Sequence, residues 1–345
     1  MKEKFVEKNK NNNNSINLGI QILRMVFSFF IVLRHCYQEN SYEKYFNYFP
    51  FRVYTSTFFM ISFYFSYKCF ISRNVSKISQ RLKRIFIPYI IWPYFFHIRN
   101  LAIKFFYFKK FEIQFKIIFY QLIIGCGIHN IFWFQFNLIL VSLLFIIIIL
   151  LFKTKYMIIL SILGIFSYIF KYFGYSNNIL MKYNDIAQFS TKYIAGAYVL
   201  ALTGFILSKF NIINLCQKNR QRLIAKSIAF LFLIKAYSNS IIINFPYLLG
   251  FLIIFVAFNF FIISTMLPFD KISNTKLIFI FKQMTNYTGG IYYIHIPIMI
   301  IMRDYFEIIK NKTFIGSIII YFVCYSICFF GTNIFRKSNY KYLFI

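Results

Sequence analysis

Carboxylates are scarce in this chain: nine Asp and Glu stand against 39 Lys and Arg in 345 residues, a formal net charge of +30. Charge of either sign is also sparse, at 14% of residues, while 59% are hydrophobic and 23% aromatic, a balance that excludes a soluble domain of this length. The six cysteines fall in apolar segments without a CxxC pair. Buried free thiols are expected, and neither a disulfide framework nor a metal centre. Glycine and proline number only 12 and 6, which together with abundant Phe, Ile, Lys, Asn and Tyr fits a codon bias and says nothing about function. No internal repeat, soluble domain or long linker is evident. The first apolar run carries Arg24, Arg34 and His35 and lacks a small-residue cleavage site, so it is expected to remain as a helix.

What is present is a series of apolar runs, each of roughly 20 residues, the length needed to cross about 30 Å of hydrocarbon. The basic residues cluster between these runs. Their charge therefore reads as topological, with the lipid bilayer as partner and no nucleic acid. The expected fold is all-α: a polytopic membrane protein of about ten transmembrane helices, at 17–38, 50–71, 85–106, 131–152, 156–173, 191–208, 223–241, 246–267, 284–302 and 313–331. Residues 1–15 are polar, Asn-rich and without apolar periodicity, and are expected to form a disordered cytoplasmic tail. Residues 16–331 form the transmembrane domain, and 332–345 a cytoplasmic C-terminal tail. A further apolar patch at 117–127 is too short to cross unaided and reads as interfacial or re-entrant. With the N-terminus inside, the cytoplasmic segments hold roughly twice the basic residues of the opposite side, which places both termini in the cytoplasm.

Ionisable groups within such spans cost a few kcal/mol each and by default face a cavity or a partner. Arg24 and His35 lie 11 residues apart, which at about 100° per residue returns to nearly the same face after a rise of about 16 Å. A guanidinium pairs bidentately with phosphate or carboxylate, and an imidazole exchanges a proton near neutral pH. The competing reading has Arg24 snorkelling to the cytoplasmic headgroups and His35 satisfying a backbone carbonyl. Arg81 and Arg84, in Arg81-Leu-Lys-Arg84, share a helix face at the cytoplasmic start of the third span. They read either as a stop-transfer cluster or, together with Arg24, as a polyphosphate clamp. Pro88 then sits near the start of a helix, where proline is tolerated.

Five motifs in order resemble the acyltransferase 3 family of integral membrane acyltransferases. They are Arg24 with ten residues before His35, Phe58-Phe-Met-Ile-Ser62, the Arg81/Arg84 pair before Pro88-Tyr89, His129-Asn-Ile-Phe-Trp133-Phe134, and Gly290-Ile-Tyr-Tyr-Ile-His295-Ile-Pro297. The resemblance covers roughly residues 16–331. It implies an enzyme that moves an acyl group, commonly acetyl, from cytoplasmic acyl-coenzyme A to a sugar hydroxyl of a surface polysaccharide or lipid-linked glycan. It further implies a multi-pass protein of the inner or plasma membrane. By resemblance, His35 and Arg24 are the catalytic pair, and Arg24, Arg81 and Arg84 hold acyl-CoA as co-substrate, without a metal. His35 would take the hydroxyl proton or briefly carry the acyl group. Two positions depart from the family: Phe63 follows Ser62 where glycine is usual, and Arg34 stands beside the histidine in place of an apolar residue.

Secondary candidates are Glu39, one helical turn after His35; Ser62; Trp133, an interfacial anchor or a sugar-stacking ring; and His295, beside Pro297, where a packing or backbone-bonded role competes with catalysis. His129, Asp185 and Asp304 are weaker candidates for contact with a glycan. Cys36, pointing about 100° away from His35, is not expected to act as a nucleophile. A rival of another class is a transporter of a lipid-linked glycan that performs no chemistry. A lone imidazole on the face of Arg24 separates the two, because a transporter has no need of it.

Overall fold

The computed structural model describes residues 2–36, 53–108, 132–172, 185–212, 219–244, 249–267, 275–305 and 314–343. The fold is all-helical, with no strand among the described residues. In chain order the α-helices are α1 (Lys2–Cys36), α2 (Tyr54–Ile71), α3 (Val75–Phe108), α4 (Trp133–Leu151), α5 (Tyr156–Tyr172), α6 (Asp185–Lys209), α7 (Arg220–Asn244), α8 (Leu249–Met266), α9 (Thr275–Asn286), α10 (Thr288–Tyr305) and α11 (Phe314–Ile334), followed by a 3-10 turn at Asn339–Leu343. Each of the ten apolar segments expected from the sequence coincides with a helix. Among the described residues three helical stretches, Leu18–His35, Trp133–Leu151 and Phe314–Ile334, are long and apolar enough to cross a membrane. The patch at 117–127 lies outside the described residues.

Residue patterns account for these elements. α4 is dominated by Phe, Leu, Ile and Val and stops where Lys153 and Lys155 follow, its last turn closed by the Phe152 N–H on the Ile148 carbonyl at 2.9 Å. α5 shows Ile158, Ile162, Ile165, Phe166 and Ile169 exposed along one stripe. A helix whose outward stripe is apolar inverts the pattern of a water-soluble one and suits hydrocarbon. These are the features of a membrane protein. Between α2 and α3 the chain turns within three residues: Arg73 takes a left-handed φ of 51°, and Asn74 Oδ1 accepts the Lys77 N–H at 3.1 Å to cap α3.

Two sequence expectations change. The stretch expected as a disordered tail, 1–15, is helical in backbone from Lys2 and continuous with α1. Once the apolar part has nucleated the helix, each added residue needs only propagation. Pro88 does not sit near a helix start: α3 begins at Val75 and contains both Pro88 and Pro93. Pro88 withholds the N–H that the Arg84 carbonyl would accept. Within 332–345, expected as a cytoplasmic C-terminal tail, the 3-10 turn packs on α3 and buries Tyr342.

The helices gather into two compact units, Met1–Tyr64 with Gly204–Phe330 and Ile345, and Phe65–Thr203 with Gly331–Phe344. In the first, α1 is the hub. It packs against α8, α9 and α10, and α7 packs on α8. Phe27, Ile31 and Tyr54 form its core with Phe58, Phe260 and Tyr292 around them. In the second, α3 packs against α4 and the 3-10 turn, and α4 against α5.

Candidate functional site

The site forms in the first unit, where α1 lies along α10. Arg24 Nη2 donates to Thr288 Oγ1 at 2.9 Å, and Thr288, the first residue of α10, passes its own proton to the Thr285 carbonyl at 3.0 Å. Eleven residues further along α1, the His35 ring lies 5.0 Å, centroid to centroid, from the ring of His295 on α10. Both α1 side chains therefore reach the same neighbouring helix. The contacts advance in the same direction on both helices, from 24 to 35 and from 288 to 295, so α1 and α10 run parallel. Eleven residues rise about 16 Å and seven about 10 Å; the long Arg side chain, reaching back toward the helix N-terminus, takes up part of the difference.

A guanidinium carries five N–H donors. Arg24 makes one hydrogen bond among the described residues, the one to Thr288. The sequence places no Asp or Glu between residues 8 and 38 or between 271 and 303, so α1 past its first turns, α9, and α10 before its last turn carry no carboxylate. The partner is a hydroxyl at a helix N-terminus, where the macrodipole is itself positive. Gln21, one turn earlier on α1, has a buried Oε1 with no hydrogen-bond partner. Two positive features side by side favour an anion as the third participant.

At the other end, His295 is 1% exposed and its Nδ1 lies 3.1 Å from the Ile291 carbonyl. A carbonyl oxygen only accepts, so Nδ1 bears the proton and, in the neutral ring, Nε2 bears the lone pair. That Nε2 is buried and has no hydrogen-bond partner. His295 is thus backbone-bonded through one nitrogen, its second nitrogen is unused, and its ring lies beside that of His35. Arg34, the departure beside His35, donates from Nη1 to the Tyr54 hydroxyl at 2.8 Å and stands 6.0 Å from the centre of that ring. Ser28, one turn on from Arg24, shares a 3.0 Å hydrogen bond with the Tyr321 hydroxyl and ties α1 to α11.

Ser62 lies half-buried on α2 in the same unit. Phe63, at the position expected to allow close backbone approach, is fully buried instead. The close approach is made one turn earlier, where the carbonyl group of Met60 meets Gly204 of α6: a β-carbon on Gly204 would lie 2.8 Å from the Met60 carbonyl carbon.

Arg81, Arg84 and Trp133 belong to the second unit. Arg81 stands 5.6 Å from the centre of the Phe70 ring and Arg84 5.7 Å from that of Tyr342. Burial pushes the Arg81 guanidinium, which precedes the expected crossing, down to about 10 and leaves it charged at neutral pH. Trp133 opens α4 with its ring edge-on to Phe134. Glu39, His129 and Asp270 lie outside the described residues; for Cys36, Asp185 and Asp304 the backbone alone is described. Among the described residues no group of three or more His, Cys, Asp or Glu comes together as a metal site.

No family model matches the chain, and no curated protein or solved structure does so either. Residue geometry therefore bears the functional argument. Sequence reading passed over Gln135, Asn137 and Ser142, which are buried on α4 with side-chain oxygens that have no hydrogen-bond partner. The available signal was three polar residues inside an otherwise apolar span.

Proposed function

We propose that the chain is a multi-pass membrane O-acyltransferase that takes an acyl group, in the simplest case acetyl, from cytoplasmic acyl-CoA. The acceptor is a sugar hydroxyl of a surface polysaccharide or lipid-linked glycan. The observation that carries this reading is the α1–α10 pair. One end presents a guanidinium with unused donors at a positive helix terminus, and the other presents two imidazoles in contact. Coenzyme A offers phosphate groups at one end and a thioester at the end of a thin arm, so its two chemistries match the two ends. On this reading Arg24 binds phosphate, and His35 removes the proton of the attacking hydroxyl.

The same reading places ten crossings in the inner or plasma membrane with both termini in the cytoplasm. The parallel course of α1 and α10 agrees with it, since the first and ninth crossings must run in one direction. Purified protein in detergent is expected to bind radiolabelled acetyl-CoA and hydrolyse it slowly. Arg24→Ala should lose binding, and His35→Ala should bind but not turn over. Binding that survives Arg24→Ala, or turnover that survives His35→Ala, contradicts the assignment of the residue concerned.

A further inference from the structure

The second histidine has no part in the mechanism so far. Its Nδ1 is committed to the Ile291 carbonyl, its Nε2 is buried and unpartnered, and its ring touches that of His35. A buried acceptor without a donor costs on the order of 1–3 kcal/mol. The neighbour able to relieve that cost is the His35 ring, for which no hydrogen bond exists among the described residues. Ring centroids at 5.0 Å with a tilt of 45° leave the two imidazoles a modest rotation of His35 away from an N–H···N bond. Catalytic hydrogen bonds are commonly long before substrate binds and shorten in the complex.

We propose that His295 is a positioning residue: its Nε2 accepts the N–H of His35, fixes the His35 tautomer, and leaves the opposite His35 nitrogen as the base. This rests on the acyltransferase reading above and deepens it. The chain of groups runs from the Ile291 carbonyl through His295 to His35 and then to the acceptor hydroxyl. As His35 takes the hydroxyl proton, the hydroxyl oxygen forms the C–O bond to the thioester carbonyl. The C–S bond then breaks, and the imidazolium returns the proton to the departing thiolate, so that ester and free thiol form with no other reactant. The His35 imidazolium formed midway is stabilised by the His295 lone pair, the part a carboxylate plays in a hydrolase triad. Anchoring to a backbone carbonyl makes His295 able to play it without a charge, which suits a span almost devoid of carboxylates.

Two substitutions separate this role from packing. Asn in place of His295 puts an amide N–H near the Nδ1 position, so H295N keeps the Ile291 bond and loses the acceptor. Gln puts its amide near Nε2, so H295Q supplies an acceptor oxygen that is not a base. With [14C]acetyl-CoA and water as the acceptor, H295N is expected to bind as wild type does and to turn over about 100-fold or more slowly, while H295Q stays within about tenfold of wild type. Wild-type turnover in H295N makes His295 a packing residue, overturning this inference while the acyltransferase reading stands. Equal loss in both variants, with binding intact, makes His295 itself the base and overturns the positioning role. If H295N does not fold, H295A, which also removes the acceptor, takes its place at the same limits. A wild-type protein that neither binds nor hydrolyses acetyl-CoA overturns the underlying reading and this inference together.

Discussion

At the scale of single residues, the account turns on chemistry that lipid does not tolerate without a reason. Arg24 and His35 were legible in the sequence because two ionisable groups in one apolar span, eleven residues apart, point to one face. Their common neighbour was not legible. Thr288 and His295 lie more than 250 residues away in the chain, and no local pattern encodes which helix packs beside α1. Lysine is a point charge without the planar fork, so Arg24→Lys is expected to weaken acetyl-CoA binding about tenfold, about 1.4 kcal/mol, with turnover of the bound fraction unchanged. Isothermal titration of the purified variant measures this directly. Equal affinity in the two proteins contradicts bidentate phosphate binding by Arg24.

At the scale of helices, the sequence located ten apolar segments and the structure places a helix at each. Two features escaped. α9 has only 12 residues, too short to register as a crossing and placed within a segment that reads as a basic loop, yet it packs on α1 and ends just past Thr285, whose carbonyl holds the hydroxyl of Thr288. The 3-10 turn holding Tyr342 escaped because a polar C-terminal stretch gives no sign of docking. Packing between helices supplies two predictions. Gly204→Ala drives a β-carbon into the Met60 backbone, which cannot rotate aside, and is expected to destabilise the first unit by about 1–3 kcal/mol. A lowered melting midpoint in detergent checks this, and an unchanged midpoint contradicts the close approach. Tyr342→Ala removes a buried ring that faces Arg84 and contacts α3, whereas Tyr342→Phe keeps the ring. The first is expected to lower the thermal midpoint by several degrees and the second to leave it nearly unchanged, since the guanidinium sees the π face and not the hydroxyl.

At the scale of the whole molecule, composition alone sets the class: apolar helices, an apolar outward stripe on α5, and basic clusters between segments belong to a membrane protein. The proposed topology, ten crossings with both termini cytoplasmic, makes a direct prediction for single cysteines placed in a background without native ones. Thr154→Cys should be labelled by an impermeant thiol reagent only from the cytoplasmic face, and Asn178→Cys only from the opposite one. Labelling of both from one side removes a crossing. Above topology stands the central claim, that a guanidinium and an imidazole eleven residues apart form one acyl-transfer site. Its most direct measurement is the fate of radiolabelled acetyl-CoA with the purified wild-type protein in detergent. Saturable binding with slow release of labelled acetate is the predicted result. No binding of acyl-CoA at any chain length from two to sixteen carbons would contradict it, and Arg24 and His35 would then line a transport path.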